Sequence, residues 1–152
     1  RQSSPSMNLL IIQGPNLNLL GKKSSQAGEC ITLDKINKAL RLQVRNQNIN
    51  LKFLQTHKIE RAITSLQRNR SWADGILIAP MAWAKFEYVL KETLQLIKLP
   101  VVEIFFNETF FMGTGKKDSM LAETCIDSIE GFPEEVFTNG INRLIHYIQN
   151  TV

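Results

Sequence analysis

Four short runs rich in Val, Ile and Leu, each separated from the next by a stretch of helical periodicity, constrain this chain more than any other feature. Residues 9–12 (LLII), 51–55 (LKFLQ), 75–79 (GILIA) and 101–106 (VVEIFF) have the length and β-branched content of buried strands. Gln13-Gly14-Pro15-Asn16 closes the first with turn chemistry, and Gly75 and Pro80 bound the third. Thr32 can cap a helix whose inner face is Leu33, Ile36, Leu40 and Val44, ending at Asn48 to Asn50. Ile59, Ala62, Ile63 and Leu66 mark a second helix, and Phe86, Val89, Leu90, Leu94 and Ile97 a third that Pro100 breaks. A weaker strand is expected around Cys125 to Ile129. A last helix then opens with Pro133 in its first turn and runs through Val136, Phe137, Ile141, Leu144, Ile145 and Ile148. A helix between consecutive strands returns the chain to the same edge, so the strands must pair in parallel. The expected fold is α/β: a three-layer sandwich with a five-stranded parallel sheet and helices on both faces.

Composition narrows the class. With 152 residues, 43% hydrophobic and 21% charged, the chain suits one water-soluble domain over residues 7–152, preceded by a disordered lead-in over residues 1–6. A chain of this size buries roughly 70% of its unfolded surface without needing a disulfide or a metal. Cys30 and Cys125 are too few and too far apart for a disulfide scaffold or a zinc pair, so they read as idle thiols of a cytoplasmic protein. No apolar stretch reaches the length of a membrane span, and no membrane role is expected. The formal charge of +4 comes from basic residues scattered along the chain, with pairs only at Lys22-Lys23 and Lys116-Lys117. That scatter argues against a nucleic-acid surface and leaves a small anionic ligand open.

In open parallel sheets ligands sit beyond the carboxyl ends of the strands, which points to residues 13–30, 79–85 and 105–120. Those loops carry no P-loop, nucleophile elbow or His-Glu zinc motif. His146 falls between apolar helix positions and reads as structural, while His57 ends the second strand and faces either solvent or the site. Lys22 to Gly28, rich in Ser, Lys and Gly, reads as a mobile loop.

Residues 14–21, GPNLNLLG, resemble the first loop of the type II 3-dehydroquinate dehydratases. Similar residues follow without a gap at Thr32-Leu33-Asp34, Gln55-Thr56, residues 75–78, Pro80, residues 100–103 and Gly131-Phe132. The resemblance implies a flavodoxin-like fold, a homo-oligomer built as trimers or a dodecamer, and a cofactor-free, metal-free hydro-lyase of the shikimate pathway. In that chemistry a tyrosinate near an arginine removes a proton alpha to the ketone, an asparagine steadies the enolate, and a histidine protonates the departing hydroxyl.

At the positions that carry this chemistry the chain departs from the family. The first-loop asparagine is kept as Asn16. The arginine is matched by Lys23, which keeps the charge without the guanidinium fork, and the tyrosine by Gly28. The enolate-side asparagine is Ala79 and the histidine acid is Lys85. Glu103 is kept, but the histidine it would steady is Phe105; the carboxylate-binding serine is Asn107 and the next loop's arginine is Met112. A base, an acid and their helpers lost together leave little rate above background.

The preferred expectation is therefore a degenerate member acting in binding or oligomeric scaffolding, with Asn16, Lys23, Lys85, Glu103, Asn107 and Met112 as candidate ligand contacts. The alternatives are a working dehydratase in which Lys23 or Lys85 transfers protons, and different carbonyl chemistry through a Schiff base at Lys85. Glu103 is expected to pair with a lysine or with backbone amides, or else to stand as a buried acid of raised pKa. Asn16 and Asn18 either organise their loop or touch a ligand. Met112, Phe105, Phe106, Phe110 and Phe111 either partly fill the site or receive an apolar partner, and the phenylalanines alternatively form a contact between subunits.

Overall fold

The computed structural model describes residues 6–151; the lead-in expected over residues 1–6 therefore falls almost wholly outside it. Five strands form one sheet in the order β2-β1-β3-β4-β5, every neighbouring pair parallel. They are β1 (Met7–Gln13), β2 (Ile49–Gln55), β3 (Gly75–Ala79), β4 (Val101–Phe106) and β5 (Asp127–Gly131). The helices are α1 (Leu20–Gln26), α2 (Leu33–Gln43), α3 (Ile59–Asn69), α4 (Trp83–Phe86), α5 (Tyr88–Ile97) and α6 (Pro133–Thr151).

Alternation along the strands splits the core in two. Leu9, Ile11, Leu77 and Ile104 face Leu40 of α2 and Leu144 of α6, whereas Leu10, Ile12, Ile76 and Phe105 face Ala62 and Leu66 of α3 and Leu90 and Leu94 of α5. All residues of β3 and β4 are buried, and with Glu103 as the one exception both faces are apolar, which is why these strands read as continuous rather than alternating runs. Each such Leu or Ile contributes about 1.5–3 kcal/mol on transfer from water.

Thr32 caps α2 as expected, its Oγ1 accepting from Lys35 N at 3.3 Å. Three boundaries differ from the sequence reading. The helix ends at Gln43, and a turn with Asn46 and Asn48 in the left-handed region (φ 70° and 58°) leads to β2, which already contains Asn50. The single helix expected from Phe86 is broken at Glu87, whose ψ of 79° is not helical. The fifth strand lies two residues later than expected, because Val102 of β4 pairs with Asp127 and leaves Cys125 in the preceding turn.

Candidate functional site

In this strand order the chain moves from β1 outward to β2 and then returns to the other side of β1, so the topological switch lies between β1 and β3. Three turns meet at the carboxyl ends there. Gly14 N donates to Ala79 O at 2.9 Å, and a Cβ on Gly14 would stand 2.8 Å from the carbonyl oxygens of Ala79 and Pro80. Gly113, at φ 72°, brings the β4 loop so close to the β3 turn that a Cβ would stand 2.4 Å from Ala82 N. Met120 N donates to Ala84 O at 2.9 Å and ties down the far end of the same loop. Met81 between them is itself buried and left-handed at φ 51°. These contacts bind the three turns to one another, while the outer part of the β4 loop, with Phe111, Gly115, Lys116 and Lys117, lines an open cleft of about 490 Å³ that Ser128 also reaches.

The candidate residues are distributed around these turns. Asn16 is exposed and left-handed, with its carbonyl accepting from Leu19 N at 2.9 Å; it organises the turn through the backbone rather than through a side-chain cap. The segment expected to be a mobile loop is largely helical: a 3-10 turn over Leu17–Leu19 runs into α1. Leu17 and Leu20 are fully buried, and the buried Ser24 Oγ lies 3.0 Å from Ile31 N and 2.8 Å from Ile31 O. These contacts, invisible in a Ser- and Lys-rich stretch, hold the helix. Lys23 is half-exposed near its end, and Gly28 beyond it is exposed at φ 78°.

Ala79 is buried at the end of β3, and Lys85 on α4 is exposed, with Nζ 5.9 Å from the centre of the Phe86 ring. Phe105 has no exposed surface and sits among Ile78, Trp83, Leu90 and Leu121. Asn107 is exposed; its N–H donates to Gly131 O at 3.1 Å and its carbonyl accepts from Phe110 N at 2.9 Å. Met112 packs on the core beside Phe110, which meets Phe132 edge-on at 5.0 Å. Of the four phenylalanines offered as a contact surface, Phe105, Phe106 and Phe110 belong to this chain's own core, and only Phe111 is exposed, at 45%.

Glu103 anchors the most polar feature of the interior. Its carboxylate, with no exposed surface, accepts from Ser119 Oγ at 2.8 Å and, on its other oxygen, from Ser128 Oγ. Its partners are thus hydroxyls, not the lysine or backbone amides expected from the sequence, because β5 places Ser128 directly opposite it in register. Burial pushes the carboxyl above its ordinary 4.5, while the Ser128 and Ser119 hydrogen bonds and the charge of Lys116 pull it back. Cys125 lies against the same cluster, Sγ donating to Leu121 O at 3.3 Å, and burial followed by the Glu103 charge pushes its thiol up to about 12. Ser119, Ser128 and Cys125 were not legible as site residues; the only hint was a charged residue inside the apolar run 101–106.

His57 is exposed beyond β2, and His146 is exposed on α6 rather than packed among its apolar neighbours, because Leu144, Ile145 and Ile148 take the inner face. Among the described residues no three His, Cys, Asp or Glu side chains come together as a metal site, and no helix is long and apolar enough to cross a membrane.

Comparison with known proteins places these features in a wider set. The sequence pattern of the family described as dehydroquinase class II matches residues 7–145. A 3-dehydroquinate dehydratase of Clostridium botulinum is 30% identical over 125 residues, covering 82% of this chain and 85% of the relative. A 3-dehydroquinate dehydratase of Acaryochloris marina is 29% identical over 147 residues, or 97% of each chain. The crystal structure of the type II dehydroquinase from Butyrivibrio crossotus superposes with a TM-score of 0.79 over 92% of this chain and 98% of that one, at 22% identity.

Proposed function

The chain belongs to the dehydroquinase class II family, and on that premise we propose that it has kept the family's fold and given up its reaction, acting in binding or as an oligomeric scaffold. The observation that carries this reading is Phe105: where the resemblance puts a histidine next to Glu103, a phenylalanine with no exposed surface is packed into the core, and Glu103 is bound by two serines instead. Gly28 offers no side chain at the tyrosine position, and Ala79 no polar group at the asparagine position.

The names of the similar proteins support a second reading, a working 3-dehydroquinate dehydratase with substituted groups. Lys23 or Lys85 would then serve as acid or base, and Lys85, exposed on α4, is also the amine proposed for a Schiff base in a third, carbonyl-based reaction. In each case the ligand is a small anion or a protein partner, and the assembly is a homo-oligomer such as a trimer or a dodecamer. Free thiols at Cys30 and Cys125 fit a cytoplasmic setting.

The test is a dehydratase assay on purified protein with 3-dehydroquinate, following the ultraviolet absorbance of the enone product at high protein concentration, with Lys85→Met alongside. No turnover by folded protein is expected. Turnover abolished in Lys85→Met would overturn the degenerate reading and make Lys85 the acid or base; turnover kept in the variant would overturn it and direct attention to Lys23.

A further inference from the structure

The charges that look scattered along the sequence are gathered in space. Residues 22–72 carry eleven Lys and Arg against three Asp and Glu, whereas residues 73–152 carry six against eleven. Apart from Lys22 and Lys23 on α1, the cations of the first group lie on or beside α2, β2 and α3, and β2 is an edge strand that pairs only with β1. On the α2 face Arg41 lies over the Phe53 ring at 4.6 Å, and with Arg45 and Asn50 it lines a cleft of about 430 Å³. On the α3 face Lys52 lies over Trp72 at 4.3 Å and donates to Asn69 Oδ1 at 2.9 Å, beside a cleft of about 320 Å³ lined by Arg61 and Arg68. Neither of the salt bridges among the described residues involves these cations, and Glu60 is the one acid lining either cleft.

We propose that the β2 edge receives an extended acidic segment of a partner protein as an added strand, its backbone pairing with Ile49–Gln55 and its carboxylates alternating between Arg41 and Arg45 on one face and Arg61 and Arg68 on the other. An added strand projects successive side chains to opposite faces, which is the distribution of cations found here. A phosphodiester chain is the poorer fit. The cations stand on both sides of the sheet rather than along one groove, and the half-buried rings of Phe53 and Trp72 are already covered by Arg41 and Lys52, leaving no platform for bases. A second copy pairing through its own β2 would set arginines and Lys52 against their like, a repulsion that protects an open edge from self-pairing. This surface is separate from the crevice, so the inference stands or falls independently of the reading above.

Fluorescence anisotropy with a fluorescein-labelled peptide of alternating Glu and Thr tests it, against a peptide of alternating Glu and Pro, which keeps the charge but cannot complete the ladder, and against labelled oligothymidylate. The expected result is salt-dependent binding of the Glu-Thr peptide, about tenfold weaker for the Glu-Pro peptide and about tenfold weaker for R41E/R45E and for R61E/R68E. Lys98→Glu, on the loop before β4, should leave binding unchanged, and far-UV circular dichroism should show every variant folded. Equal binding of both peptides, tighter binding of the oligonucleotide, no binding, or dissociation of a homo-oligomer by R41E/R45E in sedimentation would each overturn the proposal.

Discussion

Glu103 and Ser128 face each other across β4 and β5 in register, and the serine hydroxyl donates to one carboxylate oxygen while Ser119 donates to the other. Through this buried acid, Ser128 of the last strand and Ser119 of the long β4–β5 connection are both joined to β4.

Stability should therefore depend on pH through Glu103. The folded protein holds its proton more tightly than the unfolded chain, so the contribution of this group is full below about pH 4.5 and is lost as pH rises through the folded value. In thermal melts at about pH 5 and about pH 8, Glu103→Gln should show a smaller loss of Tm than the parent protein. An equal loss in both would remove Glu103 from the account. Glu103→Ala, which strands two hydroxyls, should cost about 1–3 kcal/mol.

The two thiols should behave oppositely. Cys30 is exposed, whereas the Cys125 thiol is pushed up to about 12 by burial and by the charge of Glu103. With a thiol-specific disulfide reagent at about pH 8, the native protein should react rapidly at Cys30 alone, and at both only after denaturation. Rapid native labelling of Cys30→Ser would contradict this.

Gly113→Ala should cost roughly 2–4 kcal/mol in urea unfolding, because its φ of 72° and the 2.4 Å approach to Ala82 N act together. Gly28→Ala shares a positive φ but meets nothing within 4 Å, and should cost about 1 kcal/mol. Similar values for the two would mean that the β4 loop yields easily at this contact.

Phe105→Ala should lose about 3–5 kcal/mol, as a buried ring leaves a cavity. Phe111→Ala, on the exposed side of the same connection, should stay within about 0.5 kcal/mol. A mild effect at Phe105 would show a core that is loosely packed around this ring.

Much of the architecture was legible from local pattern. Strands such as residues 75–79 and 101–106 are recognisable because they are buried on both faces, and Thr32 announces α2 because its hydroxyl serves the very next turn. The helix over Leu20–Gln26 was not legible, since its holding contacts run from Ser24 to Ile31 and its composition reads as loop. His146 stands between apolar residues in the sequence, yet helix phase turns it outward, so its exposure could not be read from its neighbours.

The sequence by itself determined the α/β order, the parallel sheet, and which residue types stand at the family's reacting positions, since periodicity and chemical identity are carried residue by residue. Only the tertiary structure decided that Glu103 is held by Ser119 and Ser128, that Gly14 and Gly113 draw three turns together at the carboxyl ends of the strands, and that scattered arginines collect along β2. Those relations join residues far apart in the chain, and strand register and burial, rather than local propensity, set which of them meet.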